Sequence, residues 1–502
     1  MDLVPCRRTI TARVFVVNAS RLLQWAGAAL VASAALLCLL EIAQEVDAEP
    51  AASSNELAPI RIAAGGRSFE TAEGEPFIPF GVNYFRPGQG WAPQLWKRFD
   101  REATRRDFAE MKKYGVNCVR VFLTYGSFLP EPDRVAEEGL AKFDEFLALA
   151  EEAGIYVHPT GPDHWEGLPA WAAEDRIADE AVLSALEGFW KRFAGRYRGR
   201  PVIFAYDLLN EPEVKWDTTP MREKWNRWLE RKYSDAAQLA QAWGVAEQDL
   251  AFGSIRVPPR EDCASCPRLI DFQHFREEIA DEWTRRQAAA IKSVDPEALV
   301  TVGLIQWSVP SNIAACWHYS AFRPQRQARL VDFMEVHFYP LANGHYQYQN
   351  DEEEAKNLAY LEGVVREVAR WNKPLVIAEF GWYGGGKLTF GDYAPATEEA
   401  QAAWCRKLVE STDGLACGWL NWGFYDQPEA GDSSQLSGLV KPDGTPKAWG
   451  RQFARLAEHY RGSPLPPAPA LGPRPELDWD AATTSAAAGA AYREEYLKAW
   501  RQ

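Results

Sequence analysis

Two stretches decide how this chain is read: Pro201-Val202-Ile203-Phe204-Ala205-Tyr206-Asp207-Leu208-Leu209-Asn210-Glu211-Pro212 and Pro374-Leu375-Val376-Ile377-Ala378-Glu379-Phe380-Gly381. Each opens on a proline, which stops a preceding helix and can begin a strand where its missing N–H matters least. Each continues as a mostly apolar run, as a parallel strand covered on both faces requires, and closes on a glutamate. Working outward, two further units share a different join. Met111–Tyr114 runs through Gly115 into Val116–Val121, and Leu147–Ala153 through Gly154 into Ile155–Val157. A glycine there takes the left-handed turn that ends a helix, and an apolar strand follows at once. The strand candidates are 77–84, 117–123, 155–160, 202–209, 298–303, 333–338, 374–379 and 415–421. Eight strands alternating with helices predict an α/β chain folded as a closed (β/α)8 TIM barrel, and no Gly-rich nucleotide fingerprint follows any of them. Segment 59–76, with Gly65-Gly66, reads as a short N-terminal hairpin closing the barrel floor.

The chain has 502 residues, 47% hydrophobic and 25% charged, the proportions of a soluble globular enzyme. A net charge of −15 argues against nucleic acid as a partner, which needs a basic face. The 21 Trp are many. Their flat faces with a polar edge suit sugar rings as well as a large core. Residues 1–48 carry Arg7, Arg8, Arg13 and Arg21 before an apolar run from Leu22 to Leu40. That layout fits a signal peptide cut after Val46-Asp47-Ala48, or a retained N-terminal membrane anchor through 22–40. Either implies an exported protein, secreted, periplasmic or tethered. Residues 49–58 read as a linker, 59–462 as the barrel with an insertion at about 213–270, 463–480 as a Pro-rich linker, and 481–502 as one C-terminal helix. After export, Cys263 and Cys266 could pair with each other or with Cys316; Cys118, Cys405 and Cys417 read as buried thiols.

In such barrels the C-terminal strand ends build the site. Here they carry Asn83 and Tyr84, Arg120, His158, Asn210, Glu211, His337, Tyr339, Glu379 and Trp422. A dry strand that finishes in a carboxylate needs a partner for it or a use for it. Two such carboxylates facing one cleft suit glycosidic-bond cleavage, one protonating the leaving oxygen while the other attacks or activates water.

Asp207–Pro212 resembles the strand-four Asn-Glu-Pro motif of glycoside hydrolase clan A, and Val376–Gly381 its strand-seven nucleophile motif in the form of family 5, the cellulase and mannanase family. Val119–Val121, Val336–Tyr339 and Trp419–Trp422 resemble strands two, six and eight of that clan, in the right order. The resemblance implies a retaining β-glycoside hydrolase that needs no cofactor and no metal, with Glu211 as acid/base and Glu379 as nucleophile. Asn210 would hold the substrate 2-hydroxyl, while Arg120 and Tyr339 would keep Glu379 ionised and aimed. His337 would support Glu211 or line the cleft, and Trp422 would floor it. His158 or the nearby His164 would fill one further place, with Asn83 and Trp165 as further substrate contacts. Trp165, Trp171, Trp307 and Trp382 follow strand ends, so at least two of them are expected to line the cleft. The segments Trp225–Tyr233, Ala242–Gly244 and Asp271–Phe275 resemble family 42 β-galactosidases. The substrate thus reads as a β-mannan or β-glucan type of carbohydrate, with a β-galactosidase-like exo-enzyme as the alternative. A non-catalytic sugar-binding barrel is the reading from another class, although it would have no need of both glutamates.

Overall fold

The structure, a computed structural model, describes residues 57–502 except 90–93, 311–317, 342–346, 390–392 and 471. The segment read as signal or anchor, the linker up to residue 56 and Cys316 lie outside the described residues. Among the described residues no helix is long and apolar enough to cross a membrane.

The chain starts with three short strands, β1 (Ile60–Ile62), β2 (Phe69–Thr71) and β3 (Pro76–Phe77), paired in that order as an antiparallel sheet. Eight parallel strands then close a barrel. They are β4 (Phe80–Asn83), β5 (Cys118–Thr124), β6 (Tyr156–Asp163), β7 (Tyr206–Asn210), β8 (Val300–Ile305), β9 (Met334–Phe338), β10 (Leu375–Phe380) and β11 (Trp419–Asn421). All eight fall on the segments expected from the sequence. The glycine joins behave as read, Gly115 and Gly154 taking φ of 78° and 63°.

The small sheet is the floor. Ile60, Phe69 and Phe77 pack with Cys118, Tyr156, Phe204, Leu299, Phe333, Val376 and Leu420, which begin or precede the barrel strands. The larger apolar layer lies between the strands and the surrounding helices. It absorbs much of the tryptophan excess, since Trp96, Trp190, Trp225, Trp283, Trp404, Trp419 and Trp449 are fully buried.

Between β7 and β8 the insertion forms helices Thr219–Lys232 and Ala236–Trp243 before the long helix Pro267–Lys292. Cys263 and Cys266 carry free thiols, so the disulfide between them is not formed. Cys118, Cys405 and Cys417 are buried free thiols. The C-terminal segment differs from the single helix expected. It forms two, Trp479–Thr484 and Ala486–Trp500, because Ser485 adopts an extended conformation and caps the second by accepting from the Ala488 N–H at 3.1 Å. Both helices lie on the protein rather than apart from it: Gln273 donates to the Thr483 carbonyl, and Tyr496 donates to Glu362.

Candidate active site

Alternate residues of a strand share a face. On β5 this sends Cys118, Arg120 and Phe122 into the barrel at rising levels: floor, centre and mouth. Arg120 is the hub. A buried guanidinium is costly unless its five N–H groups find acceptors in its own plane. Here all five do. Nη1 donates to Asn83 Oδ1 at 2.9 Å and Glu379 Oε1 at 2.7 Å. Nη2 donates to Asp207 Oδ2 at 2.7 Å and Asn210 Oδ1 at 2.9 Å, and Nε to Asp207 Oδ2 at 3.2 Å.

Strict alternation would not bring Asp207 and Asn210, three apart, to the same guanidinium. The β7–β8 register shifts between Asp207 and Asn210, and the bulge turns both inward. A second shift between Ile377 and Glu379 on β10 does the same for Glu379, just after the inward-facing Ala378. Glu211 follows the first bulge with a φ of 46°, left-handed backbone that a glutamate adopts at a cost, and its N–H is held by the Gly303 carbonyl at 2.9 Å.

Glu379 is buried and accepts from the Tyr339 hydroxyl at 3.0 Å on Oε2, as well as from Arg120 on Oε1. Glu211 is more open, with a side-chain exposure of 27%. Nδ1 of the buried His337 reaches both, 3.1 Å from Glu211 Oε1 and 3.7 Å from Glu379 Oε2. These donor atoms of Glu211, His337 and Glu379 all lie within 4.8 Å of one another. Among the described residues it is the one such cluster close enough to chelate a cation. Burial works against a charged His337. Glu379, Glu211 and Glu335 overcome it and raise the imidazole to about 9. Burial pushes the Glu379 carboxyl up, His337 and Arg120 pull it back, and Glu211 pushes it up again. The net direction is upward: Arg120 has the expected effect, but burial outweighs it.

Beneath this layer sit two acids that the sequence reading passed over. Asp207 accepts from Thr160 Oγ1 and the Gly303 N–H, both at 2.8 Å, besides Arg120. Glu335 lies 2.8 Å from His158 Nε2, 3.4 Å from Arg120 Nε and 3.5 Å from His337 Nε2. Burial opposes its charge, but His158, His337 and Arg120 hold its carboxyl well below the usual range. Both acids carried the signal that singled out Glu211 and Glu379, an acid inside an apolar strand.

Two residues expected to contact substrate stand behind the site instead. Asn83 is fully buried, and its amide is consumed by the Ala378 and Asn421 carbonyls at 2.9 and 3.2 Å and by Arg120. His158 is fully buried too, between the Ala205 carbonyl at 2.9 Å and Glu335. His164 is the exposed histidine at the end of β6, stacked on Trp165 with ring centroids 5.2 Å apart. Trp165 and Tyr339 pack against Phe85, Phe122 and Trp422, an aromatic wall beside the two glutamates. Trp422 is fixed in that wall by donating Nε1 to Ser434 Oγ at 2.7 Å. Tyr339 is held at its backbone by Gln306, another residue not foreseen. Of the four loop tryptophans Trp165 joins this wall. Trp171 packs on Tyr125 and donates to the Pro130 carbonyl, and Trp382 stacks on Tyr348 beneath the surface. Trp307 lies half-buried just past β8, its ring edge-on to His318.

Comparison with known proteins extends this geometry. Residues 71–427 match the model of Cellulase (glycosyl hydrolase family 5). The β-galactosidase BgaH of Haloferax lucentense is 25% identical over 291 residues, 52% of this chain and 40% of its own. A probable mannan endo-1,4-β-mannosidase A of Aspergillus flavus is 25% identical over 210 residues, 36% of this chain and 54% of its own. The chain thus spans about half the length of the curated relatives it matches. Among solved structures, the exo-β-1,4-mannosidase Op5Man5 from an Opitutaceae bacterium superimposes with a TM-score of 0.57 at 19% identity, covering 80% of this chain and 63% of that one. A GH5_18 protein from Streptomyces cattleya in complex with GlcNAc superimposes with a TM-score of 0.58 at 20% identity, covering 86% and 91%. With a family match running from the floor sheet past the eighth barrel strand, the chain belongs to glycosyl hydrolase family 5.

Proposed function

We propose that this chain is a retaining β-glycosidase in which Glu379 attacks the anomeric carbon and Glu211 serves as acid and then base. The observation that carries the reading is the close approach of the two carboxylates, one oxygen of each lying within 4.8 Å of one of the other. A retaining pair stands ~5–5.5 Å apart, whereas an inverting pair is spread to roughly 6.5–9.5 Å to admit a water between. In the first step a Glu379 oxygen bonds to the anomeric carbon as the glycosidic C–O bond breaks, and Glu211 gives its proton to the departing oxygen. In the second, Glu211 takes a proton from water while that water displaces Glu379. Glu379 suits the first role because its oxygens are aimed by Arg120 and Tyr339. Glu211 suits the second because it is open to solvent, where it can exchange its proton. Asn210, its Oδ1 fixed by Arg120, offers its amide NH2 to the sugar 2-hydroxyl, a contact that strengthens as the ring flattens. Trp422 and Trp165 supply the apolar face.

The preferred substrate is a β-mannoside, a reading supported by the mannosidase names among relatives and structural neighbours. The helical insertion and the likeness to β-galactosidases favour a β-galactoside as the second reading. We place the protein outside the cytoplasm, exported or tethered, on the composition of residues 1–48. Nitrophenyl β-mannoside, β-galactoside and β-glucoside, with β-mannan alongside, test the function. Hydrolysis of the mannoside is the expected result. Cleavage of the galactoside alone would establish the second reading, and no cleavage of any would leave a sugar-binding barrel.

A further inference from the structure

The acid/base role read for Glu211 needs its carboxylate held to a fraction of an ångström, yet its backbone is strained and its side chain half-open. Something must pin the loop that follows. The first anchor is the Glu211 N–H on the Gly303 carbonyl. The second is Val214, buried three residues on. Its N–H donates to the Ser320 carbonyl at 3.0 Å, and its carbonyl accepts from Arg276 Nη2 at 2.6 Å.

Arg276 belongs to the helix Pro267–Lys292 and is fully buried. Its Nη2 also donates to the Tyr319 carbonyl at 3.1 Å, its Nη1 to Gln273 Oε1 at 2.7 Å, and its guanidinium lies over the Trp216 ring at 5.2 Å. The nearest carboxylate, that of Glu213, stands 4.0 Å away. A cation buried among neutral carbonyls is a poor source of stability, since an apolar side chain of the same volume would fill the space at less cost. What the guanidinium supplies is direction: it ties two loops at the mouth of the barrel to one helix.

Gln273 extends the chain of contacts. Its amide accepts from Arg276 on one side and donates Nε2 to the Thr483 carbonyl at 2.7 Å on the other. Thr483 lies in the C-terminal segment, which docks at further points on the insertion, on the helix Pro267–Lys292 and on the stretch between β8 and β9. The Cys263 N–H donates to the Thr484 carbonyl at 2.9 Å, His274 Nε2 meets Asp480 Oδ1 at 2.8 Å, and Arg323 covers the Trp479 ring at 4.4 Å.

We propose that Arg276 is a positioning residue for Glu211, and that the C-terminal segment Asp478–Ser485 holds it in register through Gln273. The proposal rests on the acid/base reading of Glu211. A loosened acid costs most where the departing group needs its proton and least where it does not. The test uses the full chain and a series of aryl β-glycosides whose leaving groups run from dinitrophenol to methoxyphenol. Arg276→Lys and Gln273→Met should match wild type within a few-fold in kcat/KM on the most activated glycoside. They should lose about 100-fold in kcat/KM on the least activated, the scale of an ångström's misplacement. Azide should raise their turnover of the activated substrates. Should Arg276→Lys not fold, Gln273→Met, whose side chain is hydrogen-bonded to Arg276, carries the same expectation. Losses level across the series, or no loss, would overturn the proposal while leaving the role of Glu211 intact. A wild type inactive on every member would remove that role and the proposal with it.

Discussion

Arg120 binds Glu379, Asn210 and Asp207 with one rigid fork, so no side chain of different shape can replace it. Arg120→Lys keeps the charge but loses most of these bonds, and we expect kcat to fall at least 100-fold with the fold retained, as read by circular dichroism. Two pH effects belong at this scale. Burial raises the Glu379 carboxyl above its ordinary value, and as the proposed nucleophile it must be ionised to attack. The acid limb of kcat/KM should therefore lie above ~4.3, the unperturbed glutamate value, and a limb at or below that value would contradict the assignment. His337 is raised to about 9 by its three carboxylate neighbours against the cost of burial. A histidine whose folded pKa lies above its unfolded one stabilises the fold fully below about 6.5, and that contribution is lost as pH rises through about 9. The amount is on the order of 3 kcal/mol. Thermal melts at the two ends of this window should show the loss in wild type and a much flatter profile in His337→Gln. Equal slopes would show that His337 is not the titrating group.

The strands themselves were legible because buried parallel strands leave apolar runs with sharp ends, and because proline or glycine marks their joins. Where Glu211 and Glu379 point was not. A period of two, applied without interruption, puts Asp207 and Asn210 on opposite faces, and Ala378 and Glu379 likewise. The register shifts that reconcile them arise from pairing with β8 and β9, which local sequence does not encode. Glu335 and His337, two apart on β9, needed no shift and follow simple alternation. Gly303 shows the same dependence on neighbours. A Cβ built there would lie 3.1 Å from Arg120 Nη2, from Asp207 Oδ2 and from His337 Cε1. All three belong to fully buried residues, and Arg120 and Asp207 are hydrogen-bonded to each other. Gly303→Ala should thus lower kcat by about tenfold or more through displaced side chains. A kinetic comparison on one aryl glycoside checks it, and unchanged kcat would mean the buried network yields more easily than its bonding suggests.

At the scale of the whole chain, the C-terminal segment shows where composition misleads. Its prolines and alanines read as a linker and a single helix, because its partners Gln273 and Glu362 lie far away in sequence. At the other end, Leu57 is the first described residue packed against the core, and the floor begins at Ile60. A chain beginning at Pro50 should accordingly fold, stay soluble and keep full specific activity, and its insolubility would mean that residues 1–49 cover part of the barrel. The barrel brings Glu211, just past β7, and Glu379 of β10 together with His337 so that one ligand atom of each lies within 4.8 Å of the others. The most direct measurement of that arrangement is the anomer that wild type releases first, followed by proton NMR before mutarotation. Two displacements at one carbon should give the β anomer first; the α anomer first would mean a single displacement by water and a different role for Glu379.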